Sequence, residues 1–211
     1  MKRNSAFTLI ELLIVIAIIG ILAAMMLPAL SKAKEQATAV RVKAELNQIA
    51  LALLLYAEDH DNKVPPVRIN CNSDMSTHWC ELPQELSKGH YLPRSDKKGM
   101  DANMEDLFNK GHTYKYAAPG PCLLNETPGS DYNLWVPQDF PTCESEKGNY
   151  YDTQKDSPVR WVIWSMGPRP TSKESQHSRA PIISSSWYKR TGGGGVIMIG
   201  LSKDGQFFKS F

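Results

Sequence analysis

The sequence lacks the signatures of the common reaction centres. Gly192 to Gly195 form a glycine run, but no Gly-Lys-Ser/Thr follows and an apolar stretch comes next, so the run reads as a flexible connector rather than a phosphate loop. Ser184, Ser185 and Ser186 lack the G-x-S-x-G frame of a nucleophile elbow, and the five histidines are scattered without ligand spacing. These absences exclude motif-borne hydrolases and nucleotide enzymes, and the chain reads as a non-enzyme without a cofactor. Charge of one sign is equally scarce: 24 Lys and Arg against 22 Asp and Glu leave +2. With no motif that reads nucleic acid, nucleic acid is not an expected partner. Aromatic residues make up only 9%, yet 42% apolar content places the chain among globular rather than disordered sequences.

What is present is unevenly placed. Leu12 to Leu30 is a run of 19 residues without a charge, long enough to be a transmembrane candidate. Glu11 stands at its start. An acid in hydrocarbon costs roughly 2.5 to 3.5 kcal/mol, so such a carboxylate has a partner or a job, or else snorkels near the membrane surface. Lys2 and Arg3 supply the basic start of a secretory signal, but the apolar core exceeds the roughly 7 to 15 residues of a cleaved one. A plain signal anchor explains the hydrophobicity and leaves Glu11 without a reason.

The four cysteines, Cys71, Cys80, Cys122 and Cys143, all follow the apolar run. Outside the cytoplasm an even count reads as two disulfides with three connectivities, of which the sequence-local pairs Cys71–Cys80 and Cys122–Cys143 are favoured. A zinc site of Cys71, His78 and Cys80 matches no common ligand pattern, and His60, between Asp59 and Asp61, reads as a solvated helix end. Charge is divided along the chain. Residues 58–157 hold 17 acids and 10 bases, or −7, and residues 158–211 hold 8 bases and 2 acids, or +6, so the two parts attract within a subunit or between neighbours unless each is separately solvated.

The run Ala6-Phe7-Thr8-Leu9-Ile10-Glu11, behind a leader containing Lys2 and Arg3, resembles the processing site of type IV pilins and of the pseudopilins of type II secretion systems. The family most often has Gly where this chain has Ala6; a small residue is kept. The resemblance implies cleavage by a prepilin peptidase between Ala6 and Phe7, N-methylation of Phe7, and a role for Glu11 in assembly through the amino terminus of an adjacent subunit. Four residues separate Phe7 from Glu11, one helical turn, so both lie on nearly the same face. Removing Lys2 and Arg3 with the leader brings the side-chain charge to 22 minus 22, or zero.

From Ser31 to Asn62 the pattern becomes amphipathic, with Ala33, Ala37, Val40, Ala44, Ile49, Leu53 and Tyr56 at helical spacings. One helix from Phe7 to about His60 is expected, some 80 Å long at about 1.5 Å per residue. Gly20 and Pro28 are positions where it can flex, and pilin-like proteins commonly carry a helix-breaking Gly and Pro at matching places. Asn62, Pro65 and Pro66 end it. Residues 67–157 read as long loops with short helices at Pro83–Ser87 and Met104–Asn109, and Trp79, Tyr91, Tyr132, Trp135, Tyr150 and Tyr151 serve there as surface contacts or as packing. Strand-like runs follow at Val159–Ser165, Ala180–Tyr188 and Val196–Phe211, the last split into a hairpin at Asp204-Gly205. The segment Trp164 to Pro170 resembles a pseudopilin strand end, but Arg169 replaces the family's acid, and Gly194 stands where a related pilin-like group has His. No metal is therefore expected.

The sequence thus describes an α+β protein: a long N-terminal helix packed on a small C-terminal antiparallel sheet, with long disulfide-tied loops. Its parts are a leader at 1–6, a transmembrane or filament-core helix at 7–30, an amphipathic helix at 31–62, and an extracytoplasmic pilin-like domain at 63–211. The expected function is that of a structural subunit of a type IV pilus-like or type II secretion-like filament. Its expected partners are like subunits, a prepilin peptidase, an inner-membrane assembly platform and the membrane itself. It would be a single-pass inner-membrane protein with a cytoplasmic N-terminus before assembly, and a periplasmic or cell-surface filament afterwards. A membrane-anchored extracytoplasmic recognition or adhesion module is the alternative.

Overall fold

The computed structural model describes residues 8–69, 80–93, 104–138, 140, 150–168, 180, 182, 184–189 and 194–211. Helix α1 runs without interruption over Leu9–Asp59, with Pro28 inside it. The chain divides into two compact units, residues 1–37 and residues 38–211. In the first, every described residue from Thr8 to Lys34 is exposed, including Leu9, Leu13 and Ile16. That stretch is long and apolar enough to cross a membrane.

In the second unit α1 buries Ala39, Val42, Leu46, Ile49, Ala50, Leu53 and Ala57. Their alternating three- and four-residue steps keep one face turned to the core. This corrects the sequence-based stripe, in which only Ile49 and Leu53 are buried; Val40 is 66% exposed. The physical reason is that this half is apolar on several faces, so periodicity alone does not choose which one meets the sheet. The helix ends as expected. Asp61 and Asn62 take left-handed φ of 52° and 63°, and the Asn62 amide donates to the Ala57 carbonyl at 2.8 Å, closing the last turn before Pro65 and Pro66.

The main sheet has four antiparallel strands in the order β2 (Lys115–Ala117), β7 (Val159–Ser165), β8 (Ile197–Ser202), β9 (Phe207–Lys209). Strand β7 is central, and Trp161, Val162 and Ile163 are each at most 1% exposed, which fits a strand covered on both faces. Strands β8 and β9 form the expected hairpin, with Gly205 at φ 78° in the turn. Residues of α1 and of this sheet share one apolar core. Lys209 Nζ donates to Asn47 Oδ1 at 3.0 Å, and Lys43 Nζ lies 4.8 Å from the Phe211 ring centroid, tying the C-terminus to the helix.

Shorter elements complete the second unit. Strand β1 (Val67–Ile69) pairs in parallel with β3 (Cys122–Leu124), which pairs with β4 (Thr127–Pro128), while β5 (Leu134–Trp135) pairs with β6 (Tyr150–Tyr151). Arg68 in β1 is 5% exposed and forks to Glu85 at 2.8 Å and to Glu126, joining β1 to helix α2 (Glu85–Lys88) and to the β3–β4 turn.

Two expected elements are corrected. Met104–Asn109 is not helical: the Phe108 amide donates to Asp106 Oδ1 at 3.0 Å, a local side-chain bond that substitutes for a helical one. Ala180–Tyr188 is not a continuous strand among its described residues. Ser184–Ser186 forms a 3-10 turn, and pairing resumes where Trp187 bridges Val196. The expected disulfides Cys71–Cys80 and Cys122–Cys143 each have one member, Cys71 and Cys143, outside the described residues; Cys80 and Cys122 are buried thiols.

Candidate functional site

The first turn of α1 holds the one acid of the apolar stretch. The Thr8 amide donates to Glu11 Oε2 at 2.9 Å and the Thr8 hydroxyl to the same oxygen at 2.8 Å, while the Glu11 amide donates to Thr8 Oγ1 at 3.3 Å. This is a capping box. The N-cap hydroxyl and the carboxylate three residues on satisfy amides that the helix leaves without intrahelical partners. Sequence reasoning passed over it, although Thr8-Leu9-Ile10-Glu11 spells the Ser/Thr-x-x-Glu pattern.

The box gives Glu11 a role inside its own chain: it closes the helix start and gives the carboxylate hydrogen-bond donors. Both bonds fall on Oε2, which leaves Oε1 able to receive a cation from outside. Ala6 and Phe7 lie outside the described residues. Gly20 and Pro28 sit within the continuous α1, and a Cβ at Gly20 would meet no atom within 4 Å, so the chain's own packing does not require glycine there.

Beyond the helix, the candidate contact aromatics divide between packing and surface. Tyr132 and Tyr151 are buried, Trp135 and Tyr91 are half-buried, Tyr150 is 52% exposed, and Trp79 lies outside the described residues. Tyr91 joins a surface cluster in which the rings of Tyr56 and His60 stack at 3.9 Å, and its hydroxyl donates to Asp59 at 2.7 Å. His60 is thus a stacked, exposed helix-end residue. Among the described residues no group of three His, Cys, Asp or Glu could hold a metal ion. Burial pushes the Cys80 thiol up to about 12, so it is unreactive once the domain is folded.

The buried polar centre, missed by sequence reasoning, is structural. Asp106 is fully buried and accepts from Ser165 Oγ at 2.6 Å, the Met166 amide at 2.8 Å and the Phe108 amide at 3.0 Å. Burial pushes its carboxyl up and the nearby Lys115 ammonium down, while the three donors and the Lys115 charge favour the carboxylate.

A capped acid at the head of an apolar helix, continuing into a small domain in which that helix packs on an antiparallel sheet, defines a pilin-like subunit. Residues 1–27 match the prokaryotic N-terminal methylation motif. The chain is 39% identical over 119 residues to the type II secretion system core protein G of Pseudomonas aeruginosa, covering 56% of this chain and 77% of that protein. It is 45% identical over 62 residues to the type IV wide pilus major component PilA4 of Thermus thermophilus, covering 29% of this chain and 47% of that one. No solved structure matches significantly. The chain belongs to the family of type IV pilins and type II secretion pseudopilins and is a structural subunit of a filament.

Proposed function

We propose that the chain is inserted as a precursor with its N-terminus in the cytoplasm and is cut between Ala6 and Phe7 by a prepilin peptidase. Phe7 is then N-methylated, and an inner-membrane assembly platform draws the subunit from the bilayer into a filament that is periplasmic or reaches the cell surface. The coverage of the secretion-system relative favours a secretion-type filament. The single observation that carries the reading is the methylation motif over residues 1–27, which sets Glu11 one helical turn from the new amino terminus.

Assembly then has a physical driving contact. Among the described residues the Glu11 carboxylate takes its donors from Thr8. In the filament the amino group of a neighbouring Phe7 supplies a cation, which brings subunits into register and offsets the cost of holding an acid in an apolar core. The first test is the N-terminal mass of the protein from its own cells. An N-methylated Phe7 is expected; an intact Met1 in cells with an active prepilin peptidase would reduce the motif to an anchor and favour a recognition module. As a companion variant, Glu11→Leu is expected to keep its membrane abundance while filament yield falls more than about tenfold, a change worth about 1.4 kcal/mol per decade.

We also infer that the extracytoplasmic loops carry the disulfides Cys71–Cys80 and Cys122–Cys143. Because folded Cys80 is buried and its thiol resists ionisation, its bridge must close before the core does. The unreduced protein is expected to be two hydrogens lighter per bridge, with peptide mapping giving these two pairs. Four alkylatable thiols in the exported protein would refute the pairing.

A further inference from the structure

Where α1 ends against the sheet, a cavity of about 240 Å³ is lined by Asn62, Gln154, Lys155, Arg160 and Lys203. Its three cations come from three segments: Lys155 precedes β7, Arg160 lies within β7, and Lys203 stands in the β8–β9 turn. Neutral acceptors hold two of them, Arg160 and Lys203, in place. Arg160 Nη2 donates to the Asn62 carbonyl at 2.9 Å and to Asn62 Oδ1 at 2.7 Å, on a residue fixed in the left-handed conformation. Lys203 Nζ donates to the Lys155 carbonyl at 2.5 Å. Gln154 Nε2 ties the rim to the Pro119 and Arg160 carbonyls at 2.8 and 3.0 Å.

Among the described residues no carboxylate lines the cleft, and the pairs Arg41–Glu45, Arg68–Glu85 and Arg68–Glu126 lie outside it. The exposed acids next to its lining in sequence, Asp61, Asp152, Asp156 and Asp204, do not line it, and Asp156 accepts from Thr153 Oγ1 at 2.9 Å. Three positive charges around a polar cleft, two of them held by hydrogen bonds, match an oxyanion, because part of the side-chain entropy of binding has been spent in advance.

We propose that this cleft is a docking site for a carboxylate side chain from a second copy of the chain in the filament. The inference rests on the filament reading. Charge complementarity selects the occupant: Arg160 and Lys203 belong to residues 158–211, which carry +6, and residues 58–157 of a second copy, at −7, supply carboxylates in excess.

The test uses the full chain in its own cells with its processing and assembly proteins, and reads sheared filament relative to membrane subunit. The double variant Lys155→Glu/Lys203→Glu is expected to lower filament yield about tenfold at unchanged subunit abundance. Lys155→Arg/Lys203→Arg is expected to retain it, as is Lys88→Glu/Lys110→Glu, which makes the same charge change at exposed sites outside the cleft lining. Should the cleft variant lose abundance, wild-type filaments decide. Raising salt from about 0.1 M to about 1 M shortens the screening length from about 10 Å to about 3 Å and is expected to raise the fraction of subunit released from them; indifference to salt would overturn the docking.

Unchanged filament yield in the cleft variant overturns it as well. Submillimolar binding of inorganic phosphate to the purified chain, with unchanged yield, would assign the cleft to a free oxyanion instead. If the wild type makes no filament, the filament reading fails and this inference with it; if the wild type assembles and the cleft variant assembles equally well, this inference alone fails.

Discussion

Asp106→Ala is expected to lower stability by about 3 to 5 kcal/mol, the cost typical of removing one partner from a buried charge arrangement. The number follows from what would remain. Ser165 Oγ and the Met166 and Phe108 amides would lose their acceptor, and Lys115, itself 3% exposed, would lose a nearby negative charge in a dry setting. Since a domain is typically stable by only about 5 to 15 kcal/mol, this loss approaches the whole margin. Urea unfolding of the processed protein measures it. A loss below about 1 kcal/mol would mean that water replaces the carboxylate and that the centre is not sealed. Asp106→Asn discriminates further. It keeps one acceptor oxygen for Ser165 and Phe108 but turns an amide donor toward the Met166 amide, so an intermediate cost is expected.

That centre was invisible in the sequence for a physical reason. Asp106 and Ser165 are 59 residues apart, and nothing local marks either as buried. The parallel pairing of Val67 with Cys122 is likewise set by tertiary contact, and strands of two or three residues leave too little periodicity to read. What could be read was carried by strong local chemistry. Asn62, Pro65 and Pro66 mark the helix end; alternating apolar residues around Asp204-Gly205 mark the hairpin; β7 is the apolar run Val159–Ser165. The helix face was misjudged because this half carries apolar residues such as Val40, Leu51 and Leu55 outside the buried stripe, and only the sheet decides among the faces.

The proposed assembly site could be read for the opposite reason. Its residues are neighbours in sequence, so Glu11 and Phe7 could be placed one turn apart before any fold was known, and the overlooked Thr8 cap uses the same short spacing. The basic cleft was not legible. Lys155, Arg160 and Lys203 converge only once β7, β8 and β9 are paired.

Gly195, the last residue of the glycine run, packs on the end of β7. The sequence suggested that Gly192 to Gly195 were a flexible connector; Gly192 and Gly193 lie outside the described residues, Gly194 is exposed, and Gly195 is packed, since a Cβ there would lie 2.7 Å from the Tyr188 nitrogen. A Cβ on Gly167, just beyond β7, would lie 1.7 Å from the Gly195 carbonyl oxygen. Three backbone segments therefore stack with no room for side chains, and they adjoin the Asp106 centre, since the Gly167 amide donates to Ser165 Oγ at 3.1 Å. Gly167→Ala is expected to cost about 2 to 4 kcal/mol. Roughly 1 to 2 comes from placing a Cβ at φ 69°, and the rest from forcing the chain off Gly195. Gly111→Ala isolates the two terms, because Gly111 has φ 88° yet a Cβ there would meet no atom within 4 Å, so only the conformational cost of about 1 to 2 kcal/mol applies. Measured by urea unfolding, the two variants are expected to differ by at least about 1 kcal/mol. Equal losses would mean that the strand end yields freely and that the close approach of Gly167 to Gly195 contributes nothing to holding the sheet's end against the Asp106 turn.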